Sequence, residues 1–136
     1  QIIADGVHVS DEMVRLAFLA APGRCTLVSD AIAAAGVGDG RFRLGDLDIE
    51  VVDGVARGSD STLAGSATGL ATGLATLHRV GVSLTDSVDA ATRRPAQLLG
   101  EPRVGHLIPG GDADLVVVDE SLRLLRVLAA GRELDR

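Results

Sequence analysis

Apolar residues change their spacing three times along these 136 residues, which rules out a single repeating architecture. Near the start, Ser10 is a fitting helix N-cap and Asp11 and Glu12 suit a first turn. Met13, Leu16, Ala17 and Ala20 then form an i, i+3, i+4, i+7 stripe that Pro22-Gly23 ends. Short apolar runs flank this helix, Gln1 to Ala4 before it and Cys25 to Val28 after it, so a parallel strand–helix–strand unit is expected. From Arg41 the period falls to two, with Phe42 and Leu44, then Leu47, Ile49 and Val51, then Val55. Gly45-Asp46 and Asp53-Gly54 are the turns, which predicts an antiparallel meander. A loop over Gly58 to Ser66 leads back to helical spacing at Ala67, Leu70, Leu74 and Leu77, closed by Gly81. Ser83-Leu84-Thr85-Asp86 resembles a capping box and opens another helix, expected to break near Pro95. Asp114 to Val118 and Leu124 to Ala129 are expected strands, with a turn at Ala130-Gly131. This alternation implies that the two β segments meet in space.

The core must be built from small aliphatic side chains. Hydrophobic residues make up 46% of the chain, yet it has two Phe and neither Trp nor Tyr, a composition suited to closely packed α/β layers. Net charge is −6 and the pI is near 4.9, and with two Phe as its whole aromatic content the chain has little to stack bases, so a nucleic-acid partner is disfavoured. Cys25 stands alone, which excludes an intrachain disulfide and a cysteine zinc cluster and makes a cytoplasmic setting the simplest expectation. No apolar run approaches the ~20 residues that cross a bilayer, so no membrane partner is expected. The chain opens on Gln1 and runs directly into apolar sequence, and it reads as part of something longer.

Only three histidines are present, His8, His78 and His106, too few and too scattered for a metal centre. Asp30 follows an apolar strand, where an acid/base residue or an ordinary turn former would both fit. His8 follows Asp5-Gly6-Val7 and fits either a substrate contact or a loop histidine bonded to backbone. His78 suits a helix C-terminus, Asp112 and Asp114 suit turns, Cys25 suits an inert core thiol, and Gly36 to Gly40 lacks the lysine of a phosphate loop.

Four segments in order carry a resemblance: Ile3 to Val9 around Asp-Gly-Val-His, Leu27-Val28-Ser29-Asp30-Ala31, Thr62-Leu63-Ala64-Gly65-Ser66, and the tail Gly105 to Val117. Together they resemble the C-terminal portion of the N-acetylglucosamine-6-phosphate deacetylases, within the amidohydrolase superfamily. The tail motif points only to the superfamily; the Asp-Gly-Val-His segment paired with the Leu-Ala-Gly loop points to the sugar deacetylases.

The resemblance implies an α/β fold comprising the C-terminal part of a (β/α)8 TIM-type barrel, its last two strands and their helices, plus segments of a small β-sandwich domain. Residues 1–40 and 58–100 would belong to the barrel, and 41–57 and 101–136 to the β domain. A complete barrel takes roughly 250 residues, so this length cannot close one. Asp30 would be the catalytic aspartate, taking a proton from a metal-activated water and passing it to the departing amine. His8 would contact substrate in a loop shaped by Asp5, Gly6 and Val7. Leu63, Ala64 and Gly65 would meet the sugar through backbone groups. A divalent metal, zinc or iron, would be held by ligands outside this chain, which itself supplies none. The implied partners are a phosphorylated amino sugar, the remainder of the barrel and a second subunit of a homodimer. Alone, the chain is expected to be inactive. Two other readings stay open: a different amidohydrolase, such as a deaminase or cyclic amidase, and a non-enzymatic half-barrel that binds a partner.

Overall fold

A computed structural model describes residues 1–134; Asp135 and Arg136, the end of the expected β domain, lie outside the described residues. The first helix, α1, spans Asp11–Ala20, and Ser10 caps it by accepting a hydrogen bond from the Met13 amide. Its buried face is not the expected stripe. Val14 and Phe18 are buried and Ala17 and Ala21 pack beside them, while Met13 and Leu16 are each 54% exposed. Both stripes satisfy helical spacing, and the bulk of Phe18 decides which one turns inward.

The two apolar runs flanking α1 do lie parallel, but they meet in a single bridge between Ile2 and Leu27. The Ile2 amide donates to the Thr26 carbonyl at 2.9 Å, and the Val28 amide to the Ile2 carbonyl at 3.0 Å. Other elements take the remaining groups of the second run. The Leu27 amide donates to the Ala90 carbonyl at 2.8 Å, and the Arg94 guanidinium donates to the Cys25 carbonyl at 3.1 Å. Two extended runs thus replace the two expected strands, because helical neighbours occupy the edge that a third strand would need.

Strands β1 (Gly40–Leu44), β2 (Leu47–Val52), β3 (Val55–Gly58) and β4 (Leu63–Ser66) form an antiparallel meander. The first three follow the expected alternation and turns. The fourth does not: residues 62–66, expected as a loop, supply a strand that pairs Val55 with Ser66 and Arg57 with Leu63. Ile49, Val51 and Ala56 bury one face of this sheet against Ala34, with Ile32, Phe42, Ala64 and Ala67 around them.

Helices α2 (Leu70–Arg79), α3 (Leu84–Ala91) and α4 (Arg93–Leu99) follow. Ser83 caps α3 by accepting from the Asp86 amide at 3.2 Å. The break falls at Thr92, three residues before Pro95, since a proline ring excludes the helical carbonyl four positions earlier, here that of Ala91. Leu77 of α2, Ala90 of α3, Val14 and Phe18 of α1, and Ala4, Cys25 and Leu27 of the extended runs form the main core. Arg94 pairs with Asp86 and so ties α4 to the start of α3.

The tail contributes β5 (Leu115–Val118), β6 (Leu124–Ala129) and an unanticipated short strand, β7 (Arg132–Glu133). The two β segments do not share a sheet. The open edge of β4 is taken by Ala31, and among the described residues β5 to β7 pair only with one another. None of the residues in β5, β6 or β7 is buried, and Val116 is 63% exposed. No helix among the described residues is long and apolar enough to cross a membrane.

Candidate active site

The three motifs that lie far apart in sequence converge at one end of the parallel runs. The run from Ile2 ends at Asp5, the run from Cys25 ends at Asp30, and β4 ends at Ser66. Gly6, with φ +81°, turns the chain sharply after Asp5. Oδ1 of Asp5 accepts the Val7 and His8 amides, each at 3.0 Å, and Oδ2 lies 2.9 Å from Nδ1 of His8. Asp5 and His8 side chains are only 8% and 16% exposed. Burial pushes the Asp5 carboxyl up, but the amides of His8 and Val7, the His8 ring and the Ser66 hydroxyl outweigh it and bring the pKa to about 2. Asp5 is therefore a carboxylate whose oxygens are already engaged.

The other ring nitrogen of His8, Nε2, lies 3.8 Å from Oδ2 of Asp30. That is beyond a direct hydrogen bond. Asp30 is 53% exposed and has φ +53°, a left-handed conformation that Asp tolerates better than most residues. Parallel pairing with β4 holds it there: the Ser66 amide donates to the Asp30 carbonyl at 2.8 Å and the Ile32 amide to the Ser66 carbonyl at 3.0 Å. The Ser29 hydroxyl accepts the Ala31 amide at 3.3 Å and closes the same turn. The carboxylate is thus half exposed while its backbone is anchored.

Among the expected site residues, the structure brings Asp5, His8, Asp30 and Gly65 together. Val7 is in the same turn, 38% exposed, with its amide on Asp5. Leu63 and Ala64 lie in β4, Leu63 pairing with Arg57 and Ala64 packing on the second core. Ser66 is the residue that sequence reasoning passed over. It is buried, bonds the Asp30 backbone, interacts with Asp5 and meets the Thr68 hydroxyl at 3.0 Å. Its place directly after Gly65, at the end of a strand, was the available signal.

The residues set aside keep modest roles. His78 is in the last turn of α2, Asp114 accepts the Ala130 amide, Asp112 meets the Arg103 guanidinium, and the Cys25 thiol is buried against the Ala17 carbonyl. A larger concavity on β1 to β3 is not lined by any of the converging site residues, and its arginines face carboxylates or backbone: Arg41 faces Glu50, Arg43 faces Asp48, and Arg57 donates to the Ser61 carbonyl.

A divalent metal does not fit this cluster alone. With Asp5 engaged, only Nε2 of His8 and the Asp30 carboxylate remain, whereas zinc takes about four ligands. Among the described residues no group of three or more His, Cys, Asp or Glu side chains could hold a metal ion.

Residues 1–134 match the amidohydrolase family. The chain is 40% identical over 134 residues to N-acetylglucosamine-6-phosphate deacetylase from Bos taurus, covering 96% of this chain and 32% of that protein. It is 32% identical to the putative N-acetylgalactosamine-6-phosphate deacetylase of Escherichia coli K12, covering 97% of this chain and 80% of that protein. A solved structure of an Asp-to-Ala variant of the N-acetyl-D-glucosamine-6-phosphate deacetylase from Mycobacterium smegmatis, in complex with N-acetyl-D-glucosamine-6-phosphate, superposes with a TM-score of 0.89 at 39% identity. That match covers 97% of this chain and 36% of the other. The chain spans about a third of the length of the mammalian relatives it matches, 32% in each case.

Proposed function

The chain belongs to the amidohydrolase family, and from that premise we propose that it acts as the C-terminal portion of an N-acetylglucosamine-6-phosphate deacetylase. The reaction is hydrolysis of N-acetylglucosamine 6-phosphate to glucosamine 6-phosphate and acetate. The observation that carries this reading is the convergence of His8 Nε2 and the Asp30 carboxylate, 3.8 Å apart, in a chain whose relatives bear that name.

Hydrolysis of an amide requires water to attack the acetyl carbon, and the nitrogen to be protonated before the C–N bond breaks. Asp30 takes the proton of the attacking water and delivers it to the glucosamine nitrogen, which leaves as an amine while the acetyl group becomes acetate. Its half-exposed carboxyl suits that exchange. His8 presents Nε2 to the substrate, accepting from a sugar hydroxyl as the neutral ring or donating to the acetyl oxygen when the ring is protonated. The turn at Asp5, Gly6 and Val7 sets the histidine, and the backbone of Leu63, Ala64 and Gly65 faces the sugar.

The zinc or iron of this reading would activate the attacking water. Its ligands would come from the remainder of a (β/α)8 barrel to which residues 1–40 and 58–100 contribute. Residues 41–57 and 101–136 would form the small β-sandwich domain, with β4 as the strand where the two parts join. A homodimer in the cytoplasm completes the reading, and its place in amino sugar metabolism is supported by the sugar-phosphate substrate named for the relatives.

The Escherichia coli relative favours a second reading, in which the 4-epimer, N-acetylgalactosamine 6-phosphate, is the substrate. The deciding experiment measures acetate release from both sugar phosphates, with zinc or iron added, by the chain alone and by the chain mixed with the remainder of the barrel. Release only in the mixture is the expected result. A preference for the galacto epimer would establish the second reading, release by the chain alone would refute the need for outside metal ligands, and no release by the complete protein would overturn the deacetylase assignment.

A further inference from the structure

Asp5 does more than shape a turn. Its Oδ1 alone accepts the Val7 and His8 amides, which is all that an Asx turn requires. Its Oδ2 is left for Nδ1 of His8 at 2.9 Å, and the opposite nitrogen of that ring is the one that faces Asp30. We propose that Asp5 is a positioning residue that fixes His8 with Nδ1 as the donor, so that the histidine acts on the reacting group through Nε2 alone.

The argument is one of donors and acceptors. A carboxylate has only lone pairs to offer, so the His8 nitrogen against it must carry a proton. In the neutral ring that leaves Nε2 with a lone pair; in the cation it leaves Nε2 with a second proton aimed towards Asp30. Two backbone amides and the Ser66 hydroxyl keep Asp5 ionised far below neutrality, so this choice does not lapse near neutral pH. The carboxylates facing His8 are Asp5 and Asp30, one on each ring nitrogen. Asp5, expected to shape the substrate loop, thereby works through His8, with Ser66 supporting it from β4.

This inference rests on the deacetylase reading for its kinetic consequence but not for its spectroscopic one. Asp5→Asn keeps an oxygen for the two amides and replaces the ring acceptor with an NH2 donor, which demands the opposite tautomer of His8. The test is 15N NMR of the His8 imidazole in the complete protein, assigned by loss of its signal in His8→Gln. It is paired with kcat on N-acetylglucosamine 6-phosphate for Asp5→Asn, His8→Gln and the double variant. The wild type should show a protonated Nδ1, and Asp5→Asn should invert the pattern and lower kcat about 10- to 100-fold, the scale on which outer partners of functional histidines act. In the His8→Gln background, Asp5→Asn should cost nothing further.

A wild-type ring protonated at Nε2 instead, or an equal loss from Asp5→Asn with and without His8, would overturn the proposal. Should the complete protein release no acetate, the deacetylase reading falls while the tautomer still decides this one. Should Asp5→Asn fail to fold, the wild-type spectrum decides alone.

Discussion

A Cβ placed on Gly65 would lie 2.9 Å from the carbonyl oxygen of Asp30 and 2.6 Å from Cγ2 of Ile32. Gly65 also has φ +93°, a conformation that costs any other residue free energy. Both facts come from the pairing of β4 with the turn at Asp30, so the glycine sets how closely the strand can approach the carboxylate. Gly65→Ala should destabilise the protein by about 1–3 kcal/mol and displace Asp30, lowering turnover. Thermal melting together with kcat checks this, and an unchanged pair of values would show that the strand relaxes freely.

Asp30→Asn should separate activity from stability. Asn accepts a positive φ as readily as Asp, and the side chain is half exposed, so stability should stay within about 0.5 kcal/mol of the wild type. Turnover should fall about 100-fold or more, because the amide cannot take up and release a proton. Near-normal kcat would remove Asp30 from the mechanism.

The pH dependence of stability should carry the mark of Asp5. Its folded pKa of about 2 lies below the ordinary 3.8, so the folded state binds its proton less readily than the unfolded state does. Its contribution, roughly 2 kcal/mol, is fully present above pH 4 and is lost as pH falls from about 4 to about 2. Denaturant midpoints measured through that window should drop in the wild type and drop less in Asp5→Asn. Parallel curves for the two would show that Asp5 is not the group responsible.

Arg94 is 11% exposed, pairs with Asp86 and donates to the Cys25 carbonyl at 3.1 Å. Arg94→Ala strands a partly buried carboxylate and a buried carbonyl, and should cost about 3 kcal/mol. Replacing both partners, Arg94→Met with Asp86→Asn, should recover part of that loss. Equilibrium denaturation of the three proteins measures it, and equal stability of Arg94→Ala and the wild type would show the ion pair to be idle.

Local chemistry was legible in the sequence, and pairing over distance was not. Ser10 and Ser83 announce their helices because a short hydroxyl side chain before an apolar stripe has few other uses. The β1 to β3 meander was readable from its period and turns. The inward face of α1 was not, because two stripes share one spacing and only packing chooses between them. Leu63 to Ser66 lacks the branched and aromatic residues that mark strands, and becomes one through distant partners at Val55, Arg57 and Ala31. For the same reason Asp5, His8 and Asp30 could be picked out singly, while their geometry and the part of Ser66 emerged only from the parallel runs and β4.

The tail sheet holds β5, β6 and β7 by ladder bonds, with no buried side chain in any of the three. Opening it exposes little additional apolar surface, so its amides should become accessible through local fluctuation rather than through loss of the whole fold. Hydrogen–deuterium exchange would then give the protein two clocks: a fast one over residues 115–133, and a slow one over the amides of Val14 and Leu77, which wait for the main core to come apart. Uniform exchange across both regions would mean that the tail is coupled to the rest more tightly than its burial suggests.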